Sequence, residues 1–181
     1  MKAVFFRHLP LFATLSLLVP GSSAQSLQAF RGEVPSVINQ LHLQPMGRLP
    51  GSQYLHLAIG LPLRNEQSLD ALLAQIYDPA STNYHHYLTP EQFTEQFGPA
   101  EKDYAAVISF ARTNGLTVTA TYPNRTLVDA SGSVADIERV FHVTMRVYRH
   151  PEEARMFYAP DVEPVLDLAV PVLHISGLDN Y

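Results

Sequence analysis

The chain has 181 residues, with 12 Lys and Arg against 17 Asp and Glu, a net charge of −5 and no Cys. A hydrophobic fraction of 46% with 16% charged residues is too apolar for a disordered chain and suits one domain with extensions. The acidic balance, with Lys2 and Lys102 as its only lysines, excludes a basic nucleic-acid-binding face, and the lack of Cys excludes disulfides, thiolate metal sites and a thiol nucleophile.

Lys2, Arg7 and His8 precede an apolar run from Leu9 to Val19, then Pro20-Gly21 and the small residues Ser22-Ser23-Ala24. That order predicts a secretory signal peptide over residues 1–24, cut after Ala24. The run is too short to span ~30 Å of hydrocarbon. The expected product is secreted or periplasmic and free of the membrane once the signal is removed. Residues 25–53, punctuated by Pro35, Pro45, Gly47, Pro50 and Gly51, read as an irregular leader with room for one short strand.

Tyr54 to Leu61 alternates, with Leu55, Leu57, Ile59 and Leu61 on one side, as in a half-buried strand. Asn65 is expected to cap a helix over 66–77 whose stripe is Leu69, Leu72, Leu73 and Ile76. Thr89-Pro90-Glu91-Gln92 opens a short helix with a capping box, which Gly98-Pro99 closes. A longer helix over 100–114 buries Tyr104, Val107, Ile108 and Ala111 and ends on the left-handed cap Gly115. Leu116 to Tyr122 alternates as a strand with Leu116, Val118, Ala120 and Tyr122 together, and Pro123-Asn124-Arg125 turns into a strand over 126–130. Ser133 caps a helix through Phe141, with Asp136 at its third position, and Val143 to Arg149 is the last strand. Four prolines after residue 150 (Pro151, Pro160, Pro164, Pro171) argue against further regular elements, and the tail from Val170 reads as extended.

Strand, helices, strand, strand, helix, strand is the order of an α+β, ferredoxin-like split βαβ sandwich: an antiparallel four-stranded sheet with helices on one face. Its core occupies 54–150, and 151–181 is a C-terminal extension. The inward positions are Leu55, Leu57, Leu72, Ile76, Val107, Ile108, Val118, Ile137, Phe141 and Val147.

Candidate chemistry is sparse. His85-His86 is the one histidine pair, but adjacent side chains diverge and no carboxylate stands at ligand spacing, so no metal or cofactor is expected. Ser131-Gly132-Ser133 lacks the Gly-x-Ser-x-Gly elbow, and Ser133 is a helix cap. Asn124-Arg125-Thr126 is a glycosylation sequon in a turn. Tyr84, Tyr87, Phe93 and Phe97 form an aromatic group suited to a core or to a protein contact.

Asp78-Pro79-Ala80-Ser81-x-x-Tyr84-x-x-Tyr87-Leu88-Thr89-Pro90-Glu91-Gln92-Phe93-x-x-x-Phe97-Gly98-Pro99 resembles the hallmark stretch of the activation domain of sedolisin- or kumamolisin-type serine-carboxyl peptidases. Gly115-Leu116-x-Val118, Arg125-Thr126 to Gly132, Ile137 to His142, Val147-Tyr148 and Ile175-Ser176-Gly177-Leu178-Asp179-Asn180 follow in the family's order. The resemblance covers about Tyr54 to Tyr181, and Ala80-Ser81-Thr82 departs from the family's usual Ser and Pro.

The resemblance implies a ferredoxin-like pro-domain that helps a protease fold and inhibits it until acid triggers autoprocessing. The family's Ser–Glu–Asp triad, oxyanion-hole Asp and calcium site belong to the protease domain and map onto no residue here; no Thr of this chain follows a Gly, so the nucleophile's Gly-Thr-Ser is absent. The expected chain is thus a non-enzymatic propeptide, truncated or freestanding, whose partner is a sedolisin-type protease domain in cis or in trans. The candidate protease-contact or family-motif residues are Tyr84, His85, His86, Tyr87, Leu88, Thr89, Phe93, Phe97 and His142. His85, His86 and His142 are also the expected carriers of a charge change between pH 7 and 5 at that contact. The alternatives are a ferredoxin-like ligand- or metal-binding module, which needs a pocket with convergent polar groups, and an exported enzyme, which needs a nucleophile and base.

Overall fold

The computed structural model describes residues 27–181; the expected signal peptide and its cut after Ala24 lie outside them. In chain order the elements are β1 (Gln28–Ala29), α1 (Ser36–Gln40), β2 (Gly47–Arg48), β3 (Tyr54–Gly60), α2 (Glu66–Tyr77), α3 (Pro90–Gln96) and α4 (Glu101–Thr113). They continue with β4 (Thr117–Thr121), β5 (Leu127–Ser133), α5 (Val134–Phe141), β6 (Met145–Arg149), β7 (Met156–Pro160), β8 (Val165–Leu166) and β9 (His174–Ser176). The fold is mixed α+β with three antiparallel sheets: β4-β5-β3-β9, β2-β6-β7 and β1-β8.

The four-stranded sheet organises the molecule. Leu55 and Leu57 of β3 stand opposite Gly132 and Ala130 of β5 and point inward, while His56 and Ala58 stand opposite Ser131 and Asp129 and point outward. The inner face joins Tyr104, Val107 and Ala111 of α4 and Ile137 and Phe141 of α5 in one core. Gly132 lies in that face because a Cβ there would sit 2.4 Å from Cδ2 of Leu116. Several local signals act as the sequence implies. Thr89 and Gln92 form a reciprocal capping box. Ser133 accepts the Asp136 N–H, and Gly115 takes φ of +83° after α4.

The expected fourth strand is corrected. Val143 to Arg149 does form a strand, β6, but it pairs with β2 and β7 rather than with β3. The place beside β3 belongs to β9, through Ala58↔Ser176 and Gly60↔His174. The proline argument against regular structure after residue 150 therefore fails. Pro160 closes β7 opposite Met145, a strand end where a missing N–H is tolerated. The leader likewise carries α1 and two short strands, and Ile38 of α1 packs with Tyr148, Phe157 and Ala159 in a second cluster.

Four further expectations change. Asn65 has φ of +54° and makes no side-chain cap for α2; its Nδ2 donates to the Gln96 carbonyl at 3.0 Å, closing α3 instead. Of the α2 stripe only Ile76 is buried; Leu69 and Leu72 are half-buried and Leu73 is exposed. Ile108, Val118 and Val147 are half-buried against the core rather than inside it. A bulge between Val118 and Ala120 shifts the register of β4; the alternation holds through Thr121, but Tyr122 leaves the inner side and reaches Asp129 on the outer face.

Candidate functional site

The hallmark stretch builds one lobe. Asp78 Oδ1 accepts the Ala80 N–H, Ser81 Oγ accepts the Asn83 N–H, and Asn83 Nδ2 donates to Gln75 Oε1, so the turn after α2 folds back on its own helix. The His85 N–H donates to the Ile76 carbonyl, and His85, at φ of +57°, stacks between Tyr84 and Tyr87 with ring centroids 3.8 and 6.2 Å away. Two arginines lock α3 in place by its C-terminal carbonyls. Arg64 donates to Gly98 and Glu95, and Arg125 donates to Pro99 at 2.7 Å and Thr94 at 3.1 Å. Cations at a helix C-terminus also complement its dipole.

Between α2 and α3 lies an apolar trough of about 380 Å³, whose walls include Leu69, Leu72, Leu73, Tyr87, Leu88 and Phe93. Thr89 is on its rim. The lobe thus brings together Tyr84, His85 and Tyr87 in one stack, and Tyr87, Leu88, Thr89 and Phe93 in one trough. His86 is exposed beside them, and Phe97 is only 3% exposed, packing on Phe93. His142 is remote in the topology: it is the exposed left-handed C-cap of α5.

The second surface is the outer face of the four-stranded sheet, which no helix among the described residues covers. It carries Tyr54, His56 and Ala58 of β3, Asp129 and Ser131 of β5 and Ser176 of β9. His56, Ala58, Thr119, Asp129 and Ser176 line a hollow of about 360 Å³ on this face. His56 stands opposite Ser131, but the neighbouring carboxylate of Asp129 accepts the Tyr122 hydroxyl at 2.7 Å, which pushes the Tyr122 pKa up. The arrangement braces the β4–β5 turn.

The closing phrase is structural. Ile175 and Leu178 are fully buried, and Gly177 turns between them at φ of +100°. Asn180 pairs with the free edge of β7, accepting the Tyr158 N–H through Oδ1 at 2.6 Å and donating its own N–H to the Tyr158 carbonyl. Beside it is a residue the sequence did not single out. His150 is 7% exposed, its Nδ1 accepts the Glu152 and Glu153 N–H groups, and its ring stacks on Tyr181 at 4.8 Å. Arg64, Arg125 and His150 were missed because each acts on backbone groups distant in sequence or in a turn, and single-residue spacing carries no mark of that. For Arg125 the one available signal was its place at the head of the segment Arg125-Thr126 to Gly132.

Among the described residues, no three His, Asp or Glu converge to hold a metal ion, and no helix is long and apolar enough to cross a membrane. What they assemble is an α+β domain that presents preformed surfaces, its polar side chains spent on bracing turns and helix ends. Comparison places it. The chain belongs to the family of the pro-kumamolisin activation domain, which matches residues 42–181. It is similar to xanthomonalisin of Xanthomonas sp. (strain T-22), at 30% identity over 179 residues covering 92% of this chain and 21% of that protein. It is also similar to sedolisin of Pseudomonas sp. (strain 101), at 27% identity covering 81% of this chain and 25% of that protein. Kumamolisin of Bacillus sp. (strain MN-32) is 27% identical, covering 74% and 24% respectively. The chain therefore spans about a quarter or less of the length of these relatives.

Proposed function

We propose that this chain is the propeptide of an exported, acid-acting serine-carboxyl peptidase, and that it inhibits the protease domain and assists its folding. The observation that carries the reading is the activation-domain match over residues 42–181, which takes in every element from β2 onward. The outer face of the β4-β5-β3-β9 sheet, which no helix among the described residues covers, supports it: its strands are held from behind by the core, so binding there requires little reordering. In this reading the sheet with α4 and α5 behind it is the ferredoxin-like sandwich, with β9 in the place of the fourth strand. Its partner in this reading is a sedolisin-type protease domain, met in cis within a zymogen or in trans. The basic and apolar residues 1–24 direct its export.

The test is inhibition in trans. The purified chain should slow peptide hydrolysis by a mature sedolisin-type protease such as xanthomonalisin, raise the yield of that protease on refolding, and hydrolyse nothing itself. Absence of both effects defeats the proposal, as does intrinsic peptidase activity lost on Ser131→Ala.

A further inference from the structure

The trough between α2 and α3 is lined by Leu69, Leu72, Leu73, Ile76, Leu88 and Phe93, yet Leu73 is 44% exposed and Tyr87 at its lip 66%. The segment that builds it carries one sign of charge. From Asn65 to Ala100 the chain carries the carboxylates Glu66, Asp70, Asp78, Glu91 and Glu95, all exposed, and neither Lys nor Arg. The two flanking guanidinium groups, Arg64 and Arg125, are turned onto the carbonyls that close α3. An apolar hollow built by an acidic segment, with Glu91 and Glu95 lining the hollow next to it, fits an apolar side chain carried on a segment with Lys or Arg.

The trough is also continuous with the open sheet face. Pro90 and Asn124 border both the trough and a second hollow that reaches Tyr122. The Tyr122 hydroxyl in turn donates to Asp129 on the sheet. A partner seated on the sheet can therefore follow the β4–β5 turn into the lobe.

We propose that the protease contact extends from the sheet face into this trough, where a Lys- or Arg-bearing segment of the protease domain inserts an apolar anchor. The inference rests on reading the chain as a protease's activation domain. It gives the aromatic lobe a binding role, with the central hollow as the anchor's pocket and the carboxylates steering the approach.

The experiment measures inhibition of mature xanthomonalisin by the full chain and by three variants, Leu73→Glu, Tyr87→Ala and Asp70→Asn/Glu95→Gln. Thermal midpoints and sedimentation are recorded for each. Leu73 and Tyr87 are exposed, so their variants should melt with the parent while inhibiting at least about tenfold more weakly. The charge variant should associate more slowly and lose part of the salt dependence that the parent shows between 50 and 500 mM NaCl. If the parent inhibits and all variants match it, the trough is outside the contact and this inference falls while the propeptide reading stands. If the parent fails to inhibit, this inference falls, and the propeptide reading falls with it only where the parent also leaves the protease's refolding yield unchanged. If the parent self-associates, Leu73→Glu is monomeric and inhibition is unchanged, the occupant is a second copy of this chain, and the inference is overturned. Tighter inhibition by the charge variant overturns the basic segment.

Discussion

Gly177 ties the closing phrase of the sequence to one backbone geometry. Its φ of +100° disfavours any side chain, and a Cβ there would stand 2.1 Å from the His56 carbonyl oxygen, on the neighbouring strand β3. Gly177→Ala should therefore destabilise the fold by at least about 2 kcal/mol in urea unfolding. Gly47→Ala, with open space and no positive φ, should be close to neutral. Glu138 supplies a similar contrast between partners. Its side chain, 11% exposed, accepts from Arg48 at 2.6 Å and from the Met145 N–H at 2.8 Å. Burial opposes its charge, but the Arg48 guanidinium and the Met145 N–H outweigh burial and hold its pKa below the usual carboxylate range. Glu138→Ala strands the Met145 N–H and should cost roughly 1–3 kcal/mol, whereas Arg48→Ala, with a guanidinium 61% exposed, should cost under about 1 kcal/mol. Equal losses from the two would mean that the ion pair, rather than the N–H contact, carries the stability.

At the scale of elements, the main sheet gains its fourth strand from the far end of the chain. β9 contributes Ile175, fully buried in the same core as Ile137 of α5, while Leu73 of α2 stands out in the trough. Ile175→Ala and Ile137→Ala should each cost roughly 2–5 kcal/mol, and Leu73→Ala under about 1 kcal/mol. A neutral Ile175→Ala would make the tail an appendage. The expectation from sequence alone placed Ile137 correctly and Leu72, half-buried in the trough wall, wrongly, for a physical reason. Periodicity reports that a stripe is apolar and not what lies against it, so the half-open stripe of α2 and the closed stripe of α5 look alike. β3, β5, α4 and α5 were legible because alternation, Ser133 and Gly115 are local signals. The exchange of β6 for β9 was not, because three residues shortly after Pro171 carry no period, and only pairing with β3 makes them a strand. The lobe was legible as a motif, since Thr89 and Gln92 announce α3. Its geometry depends on Arg64 and Arg125, whose carbonyl partners are some thirty residues away in sequence.

Across the whole molecule, the leader and the tail hold one another. Gln28 exchanges two hydrogen bonds with Val172, Glu163 accepts the Gly32 and Glu33 N–H groups, and Glu33 accepts the Ile175 N–H at 3.1 Å. This clasp places Glu33 where burial pushes its carboxyl pKa up. The Ile175 N–H and His174 pull it down without prevailing, and Glu163 and Asp179 add to the rise. The sign of its effect on stability is opposite to that of Glu138. A raised folded pKa means that ionised Glu33 works against folding at neutral pH, and the penalty is relieved as pH falls through the folded value toward the unfolded value of ~4.3. Glu138 is depressed, so its contribution is intact above ~4.3 and lost as pH falls through its folded value. Asp136, through Ser133 first and then Arg139, and Glu153, through Arg155, are depressed as well and act in the same direction. The thermal midpoint should therefore rise slightly as pH falls from 7 toward about 4.3 and fall at lower pH. Glu33→Gln keeps an acceptor for Ile175 without the charge, so it should abolish the rise and leave the acid fall unchanged. Calorimetry of the two proteins from pH 7 to 3 reads both limbs, and a rise of the same size in Glu33→Gln would place its origin elsewhere in the molecule.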